Sequence, residues 1–394
     1  MRRSDRLKLH PDIVKLGTVS LLTDLSSEMV FAVFAVFFTV IVGAPMVLLG
    51  LIEGLADVSA SSLNYLSGRW SDRSGRRKVF TLAGYGFSTL AKTLLLVSSS
   101  VVALAMFRVV ERLGKGFRGP PRDAWLSALA EPSRRGLSFG VHKSLDKAGA
   151  VLGPMFAYAL LRWTGESAAA YQTLFWVALL PALLGLLLLA SVQDRSGLRH
   201  PHESLGHNWQ ALSPTFKRFL LPAGIFALGY YSLGFLLVRA HAIGLGVADI
   251  ALLYAEFNLV CVIVAPLVGR LGDRIGRRSV VMLGYAVYGL LNLGACFVNS
   301  AGGLIALFSA YGCFYAIEES QTKAYIADLE TDRRATALGV YSGFTGLLYL
   351  PASLLAGGLW TLSPSAAFLL AATLSLVAIL VLARGPGRPG HDGR

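Results

Sequence analysis

The stretch SGRWSDRSGRRK, residues 67–78, places six charged side chains between two long apolar segments. A related stretch, VGRLGDRIGRRS, occupies residues 268–279. Over the eleven positions from Gly68 to Lys78, seven residues recur identically 201 positions later. The charged stretch is therefore one of a pair, which indicates that the chain contains an internal repeat.

The composition around these stretches is that of a membrane protein. Of the 394 residues, 54% are hydrophobic and only 15% are charged, and the mean hydropathy is +0.59. Apolar runs of about 20 residues, long enough to cross a bilayer as a helix, follow one another along the chain. We predict an all-α integral membrane protein with twelve transmembrane spans, at residues 14–40, 45–69, 79–98, 100–128, 136–162, 168–191, 216–243, 248–271, 280–299, 302–328, 335–361 and 365–384.

The basic residues predict the orientation of these spans. Arginine and lysine collect in the loops after even-numbered spans, whereas loops after odd-numbered spans, such as VGAPM and NSAGG, have almost none. By the positive-inside rule, both termini are cytoplasmic. The net charge of +13 then reflects orientation, and we expect no nucleic-acid partner. The polar start MRRSDRLKLH shows no signal-peptide cleavage pattern, so we expect the first span to stay in the inner (plasma) membrane.

The repeat divides the chain into two halves. A second echo, RRGLSFGV at 134–141 and RRATALGV at 333–340, has a similar offset, and the longest polar loop lies between spans 6 and 7. We predict an N-terminal six-helix bundle at 1–192, a cytoplasmic linker at 193–214 and a C-terminal six-helix bundle at 215–394. Parallel repeats of this kind are typical of transporters whose substrate site lies between the halves near the membrane midplane.

The charged stretches resemble the signature hairpin of the major facilitator superfamily. The resemblance implies that fold, and it implies that the hairpins act as gating elements: a latch that holds the outward-open state. A simple positive-inside anchor would need the arginines but neither the glycines nor the aspartate. The gating residues predicted on this basis are Gly68, Asp72, Arg73, Gly75, Arg76 and Arg77, with Gly269, Asp273, Arg274, Gly276, Arg277 and Arg278 in the second copy.

Span 5 carries a second resemblance. The run GAVLGPMFA at 149–157 is similar to the G-x-x-x-G-P motif of proton-driven drug antiporters of the superfamily. Gly149 and Gly153 offer a flat packing face and Pro154 removes a helical hydrogen bond, so we add these three residues to the gating set. The pattern FRVVERLGKGFRGPPRDA in span 4, together with TDLSSEMVF in span 1, resembles a little-characterised prokaryotic branch.

Many charged residues lie inside the predicted spans, and each needs a partner or a purpose in the bilayer. Asp24 and Glu28 stand one helical turn apart in span 1, and Glu53 and Asp57 repeat that spacing in span 2. Buried carboxyl groups that lie near one another exchange protons closer to neutral pH than exposed ones. We therefore predict proton coupling at these four residues and at Asp146 of span 5.

Substrate-binding residues are predicted from the remaining charges and from aromatic residues. The basic face of span 4 and the sparser polar residues of the second half supply them: Arg108, Glu111, Arg112, Lys115, Lys147, Tyr230, Tyr231, Glu318 and Glu319. For any one charged residue, a structural ion pair is an equally good interpretation. For the aromatic residues, the alternative is ordinary helix packing.

The same sequence argues against other sources of energy or chemistry. It has no nucleotide-binding loop, and three cysteines are too few and too dispersed for a disulfide framework. We expect no cofactor and no metal, and interpret the three histidines of the linker (His200, His202 and His207) as solvated loop residues.

We predict a monomeric, lipid-embedded transporter that is not an enzyme and exports an amphipathic drug or metabolite by proton antiport. The alternatives are proton-coupled uptake of an anionic metabolite or chelate and, more distantly, a membrane-embedded sensor or enzyme.

Overall fold

The computed structural model describes residues 10–131, 134–193, 209–331 and 333–384, and within these ranges the chain forms helices and short connections without a β-strand. The twelve predicted spans are all helical, and we keep their numbers. Spans 1 to 6 are the helices Pro11–Val36, Met46–Ser74, Arg77–Val97, Val101–Leu129, Arg135–Thr164 and Ala168–Ala190. Spans 7 to 12 are Pro214–Gly229 with Gly234–Ala242, Val247–Ile275, Arg277–Phe297, Ala301–Ile317 with Lys323–Leu329, Arg334–Leu362 and Pro364–Arg384.

Local sequence explains where these helices begin and end. Ser100, Ser167 and Ser300 precede the helices of spans 4, 6 and 10, and each side-chain oxygen accepts a hydrogen bond from the backbone N–H three residues later. The helix of span 2 ends at Gly75, whose φ of 71° lies in the left-handed region that favours glycine.

Two spans predicted as continuous helices are interrupted. Span 7 unwinds between Gly229 and Gly234. There the Tyr288 hydroxyl donates to the Gly229 carbonyl (3.3 Å) and accepts from the Tyr231 N–H (3.4 Å), so these two backbone groups have partners outside a regular helix. Span 10 passes through a π-helical turn at Glu318–Thr322. Interruptions of this kind are frequent at functional sites in membrane proteins.

Ten helical segments of the described chain are long and apolar enough to cross a membrane. Spans 4 and 5 have the required length but are too polar in composition to qualify. Span 4, one of these two polar spans, contributes to each of the charged groups described below.

The chain divides into two compact units. Unit 1 comprises residues 1–202 and 233–258, and unit 2 comprises residues 203–232 and 259–394. In unit 1, span 1 packs against spans 5 and 6, and span 4 packs against spans 2 and 3. In unit 2, span 12 packs against span 9 and the first helix of span 7. The predicted domain boundaries stay a prediction, and most of the predicted linker, residues 194–208 with its three histidines, lies outside the described residues.

The two charged hairpins match each other with a different residue offset in the structure than in the sequence repeat. In the first, Arg77 donates to the Ala124 carbonyl (3.1 Å). In the second, Arg277 donates to the Ala324 carbonyl (3.1 Å). The structural offset after the hairpin is therefore 200 residues, one fewer than in the sequence alignment. The reason is that Gly75 and Arg76 separate the helices of spans 2 and 3, whereas Gly276 alone separates those of spans 8 and 9.

Candidate functional site

Two ion pairs join spans 2 and 4 in unit 1. Arg108 donates through Nε and Nη2 to the two carboxylate oxygens of Glu53, each at 2.6 Å, and both residues are buried. One turn further along both helices, Arg112 Nη2 lies 3.6 Å from Asp57 Oδ1, and this pair is only half-buried. The i, i+4 spacing of the two acids thus matches the i, i+4 spacing of the two arginines.

Aromatic side chains of span 1 cover the first pair. The Arg108 guanidinium lies 4.2 Å from the ring centroid of Phe31 and 5.9 Å from that of Phe34. A cation over an aromatic face is attracted by the ring quadrupole. These contacts fix Arg108 between an acid and an apolar surface, which is the environment of a structural ion pair.

A fully buried charged cluster links spans 1, 3 and 4. The Ser27 hydroxyl donates to Glu111 Oε1 (3.4 Å) and accepts from Lys92 Nζ (3.1 Å). The Ser88 hydroxyl accepts from Arg118 Nη1 (2.6 Å) and donates to the Glu111 backbone carbonyl (3.2 Å). Burial of so many ionisable groups requires this mutual pairing.

Two members of this cluster, Lys92 and Arg118, are absent from the sequence-based site. Lys92 is the one charged residue within the apolar run that ends span 3, and that isolation is the signal that would have identified it. Arg118 is one of several basic residues in span 4, and nothing in the sequence distinguishes it from the others.

A third group of charges lies at the interface of spans 1, 4 and 5. Asp146 accepts from the Ser20 hydroxyl at 2.5 Å and from Lys143 Nζ at 3.2 Å, and Arg122 Nη1 lies 3.9 Å away. Asp24 lies within electrostatic range of Asp146, Glu28 and Lys115. Asp146 is therefore embedded in a structural network as well as being close to a second carboxyl group.

The predicted residues differ in accessibility. Glu53, Arg108 and Glu111 are buried, whereas Asp24, Glu28, Asp57 and Arg112 are half-buried and Lys115 is exposed. Lys147 is also half-buried. Asp146 is half-buried as well, so four of the five acids predicted to couple protons keep some exposed surface.

Unit 2 has an aromatic interior in place of these charges. Rings of Phe226, Tyr285, Tyr288, Tyr311 and Phe314 pack with centroid separations between 4.0 and 6.2 Å. With the structural offset of 200, Glu111 corresponds to Tyr311, Lys92 to Asn292 and Arg118 to Glu318. The same framework therefore holds a charged cluster in one half and an aromatic one in the other.

The aromatic residues predicted to contact substrate differ from one another. Tyr231 is buried and its hydroxyl donates to Asn292 Oδ1, so its ring belongs to the packed interior of this structure. Tyr230 is half-buried and lies 5.1 Å from Tyr349, ring centroid to ring centroid. Tyr230 is therefore the more exposed of the two residues in this structure, and a substrate contact of either one stays a prediction.

Glu318 and Glu319 lie in the π-helical turn of span 10, and both are half-buried. Glu318 accepts from the Thr322 hydroxyl (2.8 Å) and from the Tyr341 hydroxyl (2.9 Å). Both partners are neutral donors. Glu318 is thus a half-buried carboxyl group of unit 2 that is held by two hydroxyl donors within a π-helical turn.

The predicted gating glycines of span 5 lie in closer helix contacts than Gly68 and Gly269 of the hairpins. A Cβ built at Gly149 would overlap the Leu21 carbonyl oxygen, and one at Gly153 would lie 2.6 Å from the Leu25 carbonyl oxygen, so both glycines permit the close approach of spans 1 and 5. In the hairpins, a Cβ at Gly68 would lie 3.2 Å from Pro120 of span 4, while among the described atoms none lies within 4 Å of one at Gly269.

The charged residues of the hairpins also differ in how exposed they are. Arg73, Arg76 and Arg274 are exposed. Asp72 is half-buried, whereas Asp273 is exposed and lies 3.8 Å from Arg277 Nη2. Lys78 Nζ and Arg278 Nη2 donate to the last carbonyls of spans 6 and 12, as cations do at helix C-termini.

Twelve helical spans, an internal repeat and buried charges facing one another define a multi-pass membrane transporter. The profile of the Major Facilitator Superfamily matches residues 16–238 and 219–393, so the chain belongs to this superfamily. Its members bind and transport small molecules and are not enzymes.

Relatives and solved structures agree with this assignment. The chain is 34% identical over 383 residues to the uncharacterized MFS-type transporter MJ1317 of Methanocaldococcus jannaschii, with 95% of each chain covered. It is 27% identical over 313 residues to the multidrug resistance protein MdtH of Aeromonas hydrophila, covering 76% of this chain and 74% of that one. The crystal structure of a mutant of the nucleoside transporter NupG superposes with a TM-score of 0.78 at 11% identity, covering 94% and 98% of the two chains, and supports the fold.

Proposed function

We propose that this protein is a proton-coupled secondary active transporter that exports a small amphipathic compound, cationic or lipophilic, in exchange for protons. It works as a monomer surrounded by lipid in the inner membrane, with both termini on the cytoplasmic side, and alternates access to a substrate site. The observation that carries the proposal is the presence of three half-buried carboxyl groups within residues 14–69 of spans 1 and 2: Asp24, Glu28 and Asp57.

These three acids differ from Glu53 in the way that coupling requires. A coupling residue must exchange its proton with water and respond to substrate, whereas a buried acid in a tight pair with an arginine is held in one state. Glu53 is such a buried acid, because Arg108 binds both of its oxygens. Asp57 has a longer contact with Arg112, and Glu28 accepts from the neutral Tyr254 hydroxyl (2.5 Å).

Export is supported by two observations. The G-x-x-x-G-P motif of span 5, which resembles that of drug antiporters, packs its glycines against span 1, the helix that carries Asp24 and Glu28. The similarity to the multidrug resistance protein MdtH points in the same direction.

The test uses the full chain reconstituted in liposomes with a pH gradient and tetraphenylphosphonium as the cationic probe. One pH unit supplies about 1.4 kcal/mol per proton, so the wild-type protein should accumulate the probe against its gradient. Glu28→Gln and Asp57→Asn should each abolish accumulation, and Asp57→Asn should retain exchange of the probe down its own gradient. Glu131→Gln, an exposed acid paired with Arg134, is the matched control and should accumulate the probe normally.

Accumulation by both Glu28→Gln and Asp57→Asn would place coupling elsewhere, with Asp146 as the next candidate. Failure of the wild-type protein to exchange any cation for protons would overturn the proposal of cation export.

Proton-coupled uptake of an anionic metabolite is the second candidate function, and Lys115 favours it. Its side chain is exposed on span 4, one turn from Glu111 and close to Arg112. An anion bound there should lose about ten-fold to a hundred-fold in affinity in Arg112→Ala, because charge-assisted hydrogen bonds contribute about 1.5 to 3 kcal/mol. Selective loss of anion binding in that variant would favour uptake over export.

A further inference from the structure

The outer segment of span 8, residues 247–258, belongs to unit 1 although the rest of its helix belongs to unit 2. Two carboxylates of unit 1 hold this segment. Glu166, in the loop between spans 5 and 6, accepts from the Ala248 N–H at 2.8 Å. Glu28 of span 1 accepts from the Tyr254 hydroxyl at 2.5 Å. The two contacts are six residues apart, about 9 Å along the helix.

Glu166 acts as a helix cap supplied from another part of the chain. The residue before the helix of span 8 is Gly246, which has no side chain to accept from the first N–H groups. The Glu166 carboxylate provides that acceptor, and its negative charge is favourable at a helix N-terminus. Glu166 is exposed and lies outside the charged site, so its contact is a tether without a link to coupling.

Tyr254 makes the second tether, and its acceptor is a proposed coupling residue. The groups that face Glu28 come from several helices: Asp24 one turn earlier in span 1, Lys92 of span 3 and Tyr254 of span 8. Span 5 presents Gly153, where a Cβ would lie 3.1 Å from the Glu28 Cβ. Tyr254 is therefore a neutral partner that occupies one oxygen of an accessible carboxylate.

We propose that Tyr254 is a positioning residue that makes release of the outer segment of span 8 depend on the occupant of Glu28. The inference rests on the proposed export of a cation. A substrate cation forms a stronger, charge-assisted interaction with Glu28 and displaces the Tyr254 hydroxyl. A proton does not displace it, because a neutral carboxyl group still accepts from a hydroxyl. The empty carrier thus keeps its outer segment tethered, and the substrate-loaded carrier releases it.

The experiment places a reporter between the two tethers. Ala251 lies three residues from both Ala248 and Tyr254, on the same helix face, and its side chain is buried. The full chain with Ala251→Cys, and with Cys261, Cys296 and Cys313 replaced by serine, is put in nanodiscs and treated with a membrane-impermeant maleimide. Tetraphenylphosphonium should raise labelling several-fold, and a fall in pH without it should leave labelling unchanged.

Tyr254→Phe tests the role of the hydroxyl. Labelling should be high already without the probe, and the probe should bind about three- to ten-fold more tightly, because its competitor for Glu28 is removed. Tighter binding is a result that a merely structural role would not give. Glu166→Ala is the matched control: it should raise labelling but leave the affinity for tetraphenylphosphonium as in the wild-type protein.

Unchanged affinity of Tyr254→Phe for tetraphenylphosphonium, in a wild-type background that exchanges this cation for protons, would overturn the inference and leave the proposed function standing. Labelling that follows pH alone would also contradict it, since the proton rather than the cation would then release the segment. A wild-type protein that neither binds nor exchanges the cation would overturn both the inference and the proposed function.

Discussion

At the scale of the residue, we expect the pairing of Glu53 with Arg108 to serve stability rather than proton coupling. Both side chains are buried, and removal of one partner leaves an uncompensated charge in a low-dielectric interior. We expect Glu53→Gln to lower stability by about 3 to 5 kcal/mol. Thermal unfolding of the purified protein in detergent measures this loss.

The double variant Glu53→Leu/Arg108→Leu controls for the pair as a unit. It should recover most of the lost stability, because two apolar residues of similar volume require no ionic compensation. Asp57→Asn should have a smaller effect than Glu53→Gln, since Asp57 and Arg112 are only half-buried. Equal destabilisation by the single and double variants would show that the loss does not come from the unpaired charge of Arg108.

At the scale of the element, the contact between spans 1 and 5 depends on glycine. A Cβ at Gly149 would overlap the Leu21 carbonyl, whereas none of the described atoms lies within 4 Å of one at Gly140 of the same helix. Gly149→Ala should therefore push the helices apart and destabilise the protein by about 1 to 3 kcal/mol. Gly140→Ala should be neutral or slightly stabilising, because alanine favours a helix more than glycine does.

Thermal unfolding and transport of the two alanine variants test this contact together. Gly149→Ala should also lose transport, since the displaced span 1 carries Asp24 and Glu28. Equal stability of the two variants would contradict the assignment of Gly149 to a close helix contact.

At the scale of the whole molecule, the first charged hairpin is the proposed latch of the outward-open state. Asp72 is half-buried, whereas its counterpart Asp273 has a largely exposed side chain, so we place the latch in the first copy. Asp72→Asn should weaken that state, and distances across the cytoplasmic face, measured by double electron–electron resonance, should lengthen. Asp273→Asn is the control and should leave them as in the wild-type protein. An unchanged distance distribution in Asp72→Asn, with transport intact, would reduce the hairpin to an anchor.

The sequence by itself determined the number of spans and the superfamily. Apolar runs longer than a bilayer and duplicated hairpins leave few alternatives, because a backbone in lipid must satisfy its hydrogen bonds within helices. The sequence also singled out Glu53, Asp57, Arg108 and Arg112, since charged residues are rare inside spans, and their functional roles stay predictions.

Only the tertiary structure decided the partners of these residues. Periodicity gives the face of one helix but not which faces meet, so the pairing of Arg108 with Glu53 and the bridge from Lys92 through Ser27 to Glu111 could not be read from spacing. The same limit hid Tyr254, which is 226 residues away from Glu28 in sequence. The one-residue shift between the hairpins had the same cause. Sequence identity aligns Arg77 with Arg278. The structure instead aligns Arg77 with Arg277, because these two arginines donate to equivalent carbonyls of spans 4 and 10.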